Sequence, residues 1–293
     1  MTLIDDQELA ALETEVARAF ATGDASSLRV LGYGEISSVI AWPVAGGEVA
    51  TKRLPPFRDD EQLVAYAACL DDYLAALAGA GIEPVTTELQ TLGVNGSLIA
   101  YLVQPILPPD SLGPVRFAAA GEAEAVALFE QLLDAITTFV TEGRGLDGQL
   151  SNWVFGDQLG YLDVSTPLLR DDGGTERLDE SLFMASLPWA VRPVVRRFLL
   201  QEILDKYYQP RGVVLDLLGN LYKERLDPLI PALLPRANAR LSEPIEPREI
   251  ERYYRGDARS WALLQRLRKL DRAWQRHVRR RAYPFLLPGP ITR

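Results

Sequence analysis

Apolar residues recur three and four positions apart at the start of the chain, at Leu9, Leu12, Val16 and Phe20, and then the rhythm changes. That spacing predicts a helix from Asp6 to about Phe20, capped by Asp5 and ended by Gly23-Asp24. Between Leu28 and Lys52 the apolar residues come in short runs: Leu28-Arg-Val-Leu31, Ser38-Val-Ile-Ala-Trp42 and Glu48-Val-Ala-Thr-Lys52. Separated by glycines and closed by Pro55-Pro56, they predict two or three strands joined by tight turns. Asp59 to Ala80, rich in Ala and Leu, predicts a strong helix ended by Gly79-Ala-Gly81. Strands follow around Thr87 to Leu92 and Ser97 to Gln104, with Asn95-Gly96 as the hairpin turn. Pro105, Pro108 and Pro109 make a stiff link. Gly121 to Glu142 predicts a long amphipathic helix, and Ser151 to Phe155 with Gly160 to Asp163 a short hairpin. From Asp179 onward the pattern is helical and repeatedly broken by proline.

A strand-rich first third and a helix-rich remainder indicate an α+β fold. The proline link divides it into residues 1–104 and 105–293, two lobes sharing a cleft. At 293 residues and 47% hydrophobic content, the chain has ample material for a sizeable core. Its net charge of -9 argues against a general nucleic-acid binder. Cys69 is the single cysteine, so an intrachain disulfide is impossible and a thiolate zinc site implausible. No basic leader with an apolar run opens the sequence and no run reaches membrane-spanning length, so a cytoplasmic location without membrane contact is expected. The oligomeric state is not legible. With His277 as the sole histidine there is no Ser-His triad, and neither G-x-S-x-G nor H-E-x-x-H occurs. The arginine-rich stretch Arg248 to Arg281 predicts a helix with one basic and one apolar face, packing through Trp261, Leu264, Leu267 and Trp274. An anionic substrate or nucleic-acid contact is the alternative for that face.

Four short stretches carry candidate chemistry. Leu31-Gly32-Tyr33-Gly34-Glu35-Ile36-Ser37-Ser38-Val39 places two glycines in a turn between strands, where backbone amides can approach phosphates with no side chain intervening. Because strands follow, it differs from a dinucleotide-binding fingerprint. Val49-Ala-Thr-Lys52 ends a strand in a cation. Asp147-Gly-Gln-Leu-Ser-Asn152 sets a carboxylate five residues before an amide, suited to orienting a proton and binding metal. Gly160-Tyr-Leu-Asp163 ends a strand in a carboxylate that can bridge magnesium to phosphates.

In this order the four stretches resemble the ATP-handling parts of the protein-kinase-like fold: L-G-x-G-x-x-G-x-V with Ser37 at the third glycine, V-A-I-K, D-x-x-x-x-N and a following Asp. The resemblance is closest to the small-molecule branch, the aminoglycoside phosphotransferases, choline kinases and fructosamine kinases, and covers about residues 28 to 165. It implies a two-lobed fold binding ATP and Mg2+, with phosphoryl transfer to a small-molecule hydroxyl or amine. Asp147 would be the catalytic base, and Asn152 and Asp163 the magnesium ligands. Gly32, Gly34, Ser37 and Val39 would cover the nucleotide, and Lys52 would hold its phosphates. The backbones of Gln104 and Ile106 would meet adenine. A helix acid should orient Lys52; Glu61, Asp71 and Asp72 are the candidates, and Asp71 or Asp72 near mid-helix is favoured. The sequence departs from the pattern at Gly145, where the family has histidine, and at Val164-Ser165, which replaces Phe-Gly after Asp163. A nucleotide-binding pseudokinase acting as scaffold or regulator, and nucleotidyl transfer by the same fold, are the alternative functions. The acceptor is not legible.

Overall fold

The computed structural model describes residues 2–34, 37–94, 96–185, 187–189, 191–198 and 200–287. Glu35 and Ile36 of the glycine run and Asn95 of the hairpin turn therefore lie outside the described residues. The opening helix α1 (Asp6–Thr22) begins with a reciprocal capping box between Asp5 and Glu8 and ends at Gly23, whose φ of 77° only glycine adopts without strain. Then come β1 (Arg29–Tyr33), β2 (Ser38–Val44), β3 (Gly47–Arg53), α2 (Asp60–Gly79), the short β4 (Glu83–Pro84), β5 (Glu88–Val94) and β6 (Ser97–Pro105). Apart from β4 these strands form an antiparallel sheet in the order β1-β2-β3-β6-β5.

The alternation along β6 sorts its side chains between two cores. Ile99, Tyr101 and Val103 join Leu9, Leu12 and Val16 of α1 on one face, while Ala100 and Leu102 face α2 and the helical part of the chain. This is the period-two patterning of a sheet covered on both sides. Each such large apolar side chain contributes roughly 1.5–3 kcal/mol through burial.

After β6 a single turn of 3-10 helix, Pro109–Ser111, leads into α3 (Gly113–Ala119), which the apolar pattern did not predict. Helix α4 (Glu122–Phe139) follows, then the hairpin β7 (Trp153–Phe155) and β8 (Leu159–Tyr161). β4 pairs in parallel with β8, so the segment leaving α2 shares a small sheet with the hairpin preceding Asp163. The helical part continues with α5 (Glu180–Met184), α6 (Arg192–Phe198), α7 (Leu200–Asp205), α8 (Pro210–Lys223), α9 (Ile230–Arg240) and α10 (Pro247–His277). Proline opens α8 and α10, where its missing N–H costs no hydrogen bond. Leu132, Leu133, Ile136 and Phe139 of α4 share the larger core with Leu217, Leu218 and Leu221 of α8 and Leu233 of α9.

α10 packs along α8 and reaches back to the start of the chain, where Arg276 Nη2 donates to the carbonyl of Phe20 at 3.0 Å. A cation there meets the negative end of α1. Trp261 is buried as expected, but Trp274 keeps 46% of its surface exposed and is not a packing residue. Its face of α10 turns outward, together with Leu263 and Leu270. Among the described residues, no helix is long and apolar enough to cross a membrane.

Candidate active site

β3 distributes two adjacent cations to opposite faces of the sheet. Arg53 points toward α1, where both oxygens of Glu13 accept from its guanidinium at 2.8 and 3.0 Å and Tyr101 donates to the same carboxylate at 2.6 Å. Lys52, one residue earlier, points the other way. Its Nζ donates to both oxygens of Asp163, at 2.8 and 3.0 Å, and to Ser165 Oγ at 2.6 Å. Lys52 and Asp163 are 111 residues apart in sequence, and their ion pair ties the sheet to the segment that follows β8.

Asp163 lies just beyond β8, and Ser165 braces it through both its N–H at 3.2 Å and its hydroxyl at 2.7 Å. Burial acts to raise the Asp163 pKa, but the Lys52 charge and the hydrogen bonds from Lys52 and Ser165 outweigh it. The carboxyl is held below the usual range. It is ionised at neutral pH with 37% of its side chain accessible, so one cation already holds it and another can approach.

The segment carrying Asp147 is held by its backbone. Tyr161 Oη and Asn152 Nδ2 donate to the Asp147 carbonyl at 2.9 and 3.1 Å, Trp153 Nε1 to that of Gly148 at 3.2 Å, and Tyr73 Oη to that of Gly145 at 3.1 Å. The Leu146 N–H donates to the Tyr207 carbonyl at 3.0 Å. These bonds leave the Asp147 carboxylate with one backbone donor, the N–H of Gln149 at 3.2 Å. Burial, and then the negative charge of Asp216, push the Asp147 pKa up to about 7, with Lys206 opposing. A carboxylate poised there can accept a proton near neutral pH.

Gly145 is confined by its neighbours. A Cβ at this position would lie 3.0 Å from Leu168 Cβ and 3.1 Å from Tyr208 Cε1. Tyr208 fills the space that a larger side chain would need, and the bracing comes from Tyr73, Tyr161 and Trp153 instead. Gly148 is more tightly confined, with Val213 Cγ1 2.5 Å from where its Cβ would be.

Asn152 is buried, and its carbonyl accepts from the Leu162 N–H at 2.8 Å, which sets it beside the strand end bearing Asp163. Its Nδ2 donates to the Asp147 carbonyl, which fixes the amide, and its amide oxygen is the atom able to meet a cation. Among the described residues, no group of three or more His, Cys, Asp or Glu side chains could hold a metal unaided. One carboxylate and one amide oxygen fit magnesium, which takes its remaining ligands from phosphates and water.

On the sheet side, Val39 pairs with Lys52 across β2 and β3, and Gly32 pairs with Val39 across β1 and β2. The Gly34 N–H donates to the Ser37 carbonyl at 2.8 Å, and a Cβ on Gly34 would crowd that oxygen at 3.0 Å. Ser37 Oγ is buried without a hydrogen-bond partner. Gln104 pairs with Ala50 across β3 and β6, its side chain donating to Thr87 Oγ1 and the Leu162 carbonyl, both at 2.9 Å. Ile106 follows the end of β6, half-buried.

The acid expected on α2 is corrected. Asp71 lies exposed on the outer face of α2, and the Lys52 ammonium is held by Asp163; Asp72 is also exposed and pairs with Arg177 at 2.6 Å, and Glu61 is exposed. The face that α2 turns inward carries Tyr66, Cys69 and Tyr73, and Tyr66 Oη donates to the Ser165 carbonyl at 3.0 Å. Counting along the helix placed the acids at mid-helix but on the outer face. Ser165, Tyr66, Tyr73, Tyr161 and Asp216 are the site residues that sequence reasoning missed. Only Ser165 left a signal, two residues beyond Asp163.

Residues 11–272 match a family of unknown function, DUF6206, and the chain belongs to that family. No curated protein matches the sequence.

Proposed function

We propose that the protein is a two-lobed, protein-kinase-like phosphotransferase that binds Mg-ATP between the sheet, residues 1–104, and the helical part, residues 105–293. The observation that carries this reading is the meeting of Lys52 with Asp163 at 2.8 Å, with Asn152 and the Asp147 segment attached to the same β7–β8 hairpin. Phosphoryl transfer asks little covalent chemistry of a protein. It needs positioned cations, a metal-holding carboxylate and a group that orients the attacking hydroxyl. Lys52 would hold the nucleotide's phosphates, Asp163 and Asn152 the magnesium, and Asp147 the acceptor's proton. When bound, the magnesium would neutralise charge on the phosphates. Gly32, Gly34, Ser37 and Val39 would cover the nucleotide, and the strand end at Gln104 and Ile106 would face adenine. The acceptor is a small molecule with a hydroxyl or amine.

The test is ATP turnover by the purified protein against a panel of small hydroxyl and amine acceptors, with and without magnesium, beside Asp147→Asn. Magnesium-dependent ADP release that depends on acceptor and vanishes in the variant supports the reading. Equal turnover by both proteins refutes the role of Asp147, and AMP carried on the product would indicate nucleotidyl transfer. A nucleotide-binding regulator is favoured by one observation, the direct Lys52–Asp163 pair, which a metal would have to loosen. Magnesium-independent ATP binding without turnover is the outcome that reading requires.

A further inference from the structure

Beside Asp147 lies a second polar cluster that the resemblance does not supply. Helix α8 runs along the Asp147 segment with Val213 against Gly148. One turn further on, Asp216 lies on the same face, and Lys223 at its end donates to Gln149 Oε1 at 3.4 Å. Asp216 is 3% exposed, its Oδ1 accepts from Tyr253 Oη of α10 at 2.5 Å, and its Oδ2 is buried with no hydrogen-bond donor. Lys206, in the turn whose Tyr207 carbonyl accepts from Leu146, donates from Nζ to Tyr253 Oη at 2.9 Å and stands 3.7 Å from Asp216 Oδ1. The ammonium lies 4.6 Å from the centre of the Tyr207 ring and 5.5 Å from that of Tyr253.

We propose that Lys206 is a second phosphate-binding cation, meeting the γ-phosphoryl group of the nucleotide from the Asp147 side while Lys52 meets the phosphates from the Asp163 side. The inference rests on the nucleotide-binding reading above and assigns one further residue to that site. The two lysines are held differently. Lys52 is clasped directly by a carboxylate at 2.8 Å, whereas Lys206 is tethered through a tyrosine hydroxyl, with its nearest carboxylate oxygen at 3.7 Å. An ammonium with three donors, one of them spent on Tyr253, keeps donors for an incoming oxyanion. The two aromatic rings favour its charge while limiting its motion. Its charge already acts on Asp147, opposing the effect of Asp216. Asp216 and Tyr253 are positioning residues: they aim the ammonium and do not touch the nucleotide.

The discriminating quantity is the ratio of affinities for Mg-ATP and Mg-ADP, because only ATP carries the γ-phosphoryl group. Calorimetric titration of the full chain with each nucleotide should give a Lys206→Met variant whose preference for ATP falls about tenfold, the loss of one charge-assisted contact. ADP affinity should stay within about twofold, and Lys206→Arg should restore most of the preference. Tyr253→Phe should lose part of it. If Lys206→Met fails to fold because Asp216 is left uncompensated, Lys206→Met/Asp216→Asn removes both charges and reads the same ratio. An unchanged ratio, or equal weakening of both nucleotides, overturns the role of Lys206 while leaving the nucleotide site standing. Wild type that binds neither nucleotide overturns the site itself, and this inference with it.

Discussion

Two half-buried carboxylates in neighbouring segments, Asp163 and Asp147, are driven in opposite directions. Burial raises both, but Asp163 has an ammonium at 2.8 Å and two hydrogen bonds from Ser165, and ends below the usual carboxylate range. Asp147 has one backbone donor and a like-charged neighbour in Asp216, and is pushed up to about 7. Environment alone favours the anion of one group and the protonated form of the other. Such a division suits a site that must fix a metal and accept a proton within one cleft.

The largest effect that can break this comparison comes from Asp147→Asn. Removing the proton acceptor should lower any ATP turnover by at least about a hundredfold, with nucleotide affinity nearly unchanged. Steady-state kinetics set beside calorimetry separate the two, and a fall in affinity matching the fall in rate would deny Asp147 its separate role.

Gly145→His sharpens the account of the braced segment. A Cβ at this position already meets Leu168 and Tyr208 at 3.0–3.1 Å, so a histidine there should cost about 1–3 kcal/mol or more in stability and lower turnover. Thermal denaturation reads it, and a stable, more active variant would show that the tyrosine bracing is not what holds the segment.

The pH dependence of stability follows from Asp147. Unfolded, it titrates near the ordinary value of about 3.9; folded, near 7. The folded protein holds that proton more tightly, so the associated stability is complete below about pH 4 and is lost as pH rises through about 7. Asp147→Asn should therefore be more stable than wild type at pH 8, by about 1–2 kcal/mol after discounting for solvent screening. The difference should shrink toward pH 5. Denaturant melts of the nucleotide-free protein at the two pH values check this, and a gap that widens toward acid would contradict it.

The smallest effects contrast the two faces of α2. Tyr73→Phe removes the donor to the Gly145 carbonyl and should cost about 1 kcal/mol, while Asp71→Asn on the exposed face should change stability by less than about 0.5 kcal/mol. Nucleotide affinity should also be indifferent to Asp71→Asn. A marked loss there would reinstate the helix acid as a partner of Lys52.

The parts of the molecule governed by local pattern were legible in the sequence. α1 with its Asp5 cap and Gly23 end, the three strands around Gly46-Gly47, and the β7–β8 hairpin all follow from periodicity and turn residues. So was the order Lys52, Asp147, Asn152, Asp163, because each sits at a strand end or in a tight turn where polar residues are conspicuous. What escaped was set by packing across the chain. Which face of α2 turns inward is decided by Tyr66, Cys69 and Tyr73 fitting the larger core, not by the placement of acids. The roles of Tyr161, Tyr208 and Asp216 depend on contacts with residues far along the sequence, and no local motif announces them. Trp274 illustrates the converse: helical spacing placed it with Trp261, but the outer face of α10 carries it into solvent.

The most direct measurement is calorimetric titration of the purified protein with ATP, with and without magnesium, beside Asp163→Asn. The account predicts binding that magnesium strengthens and that the variant loses in its metal-dependent part, since the proposed function gives Asp163 the magnesium. ATP binding that is absent from wild type, or indifferent both to magnesium and to the loss of Asp163, would contradict the central claim.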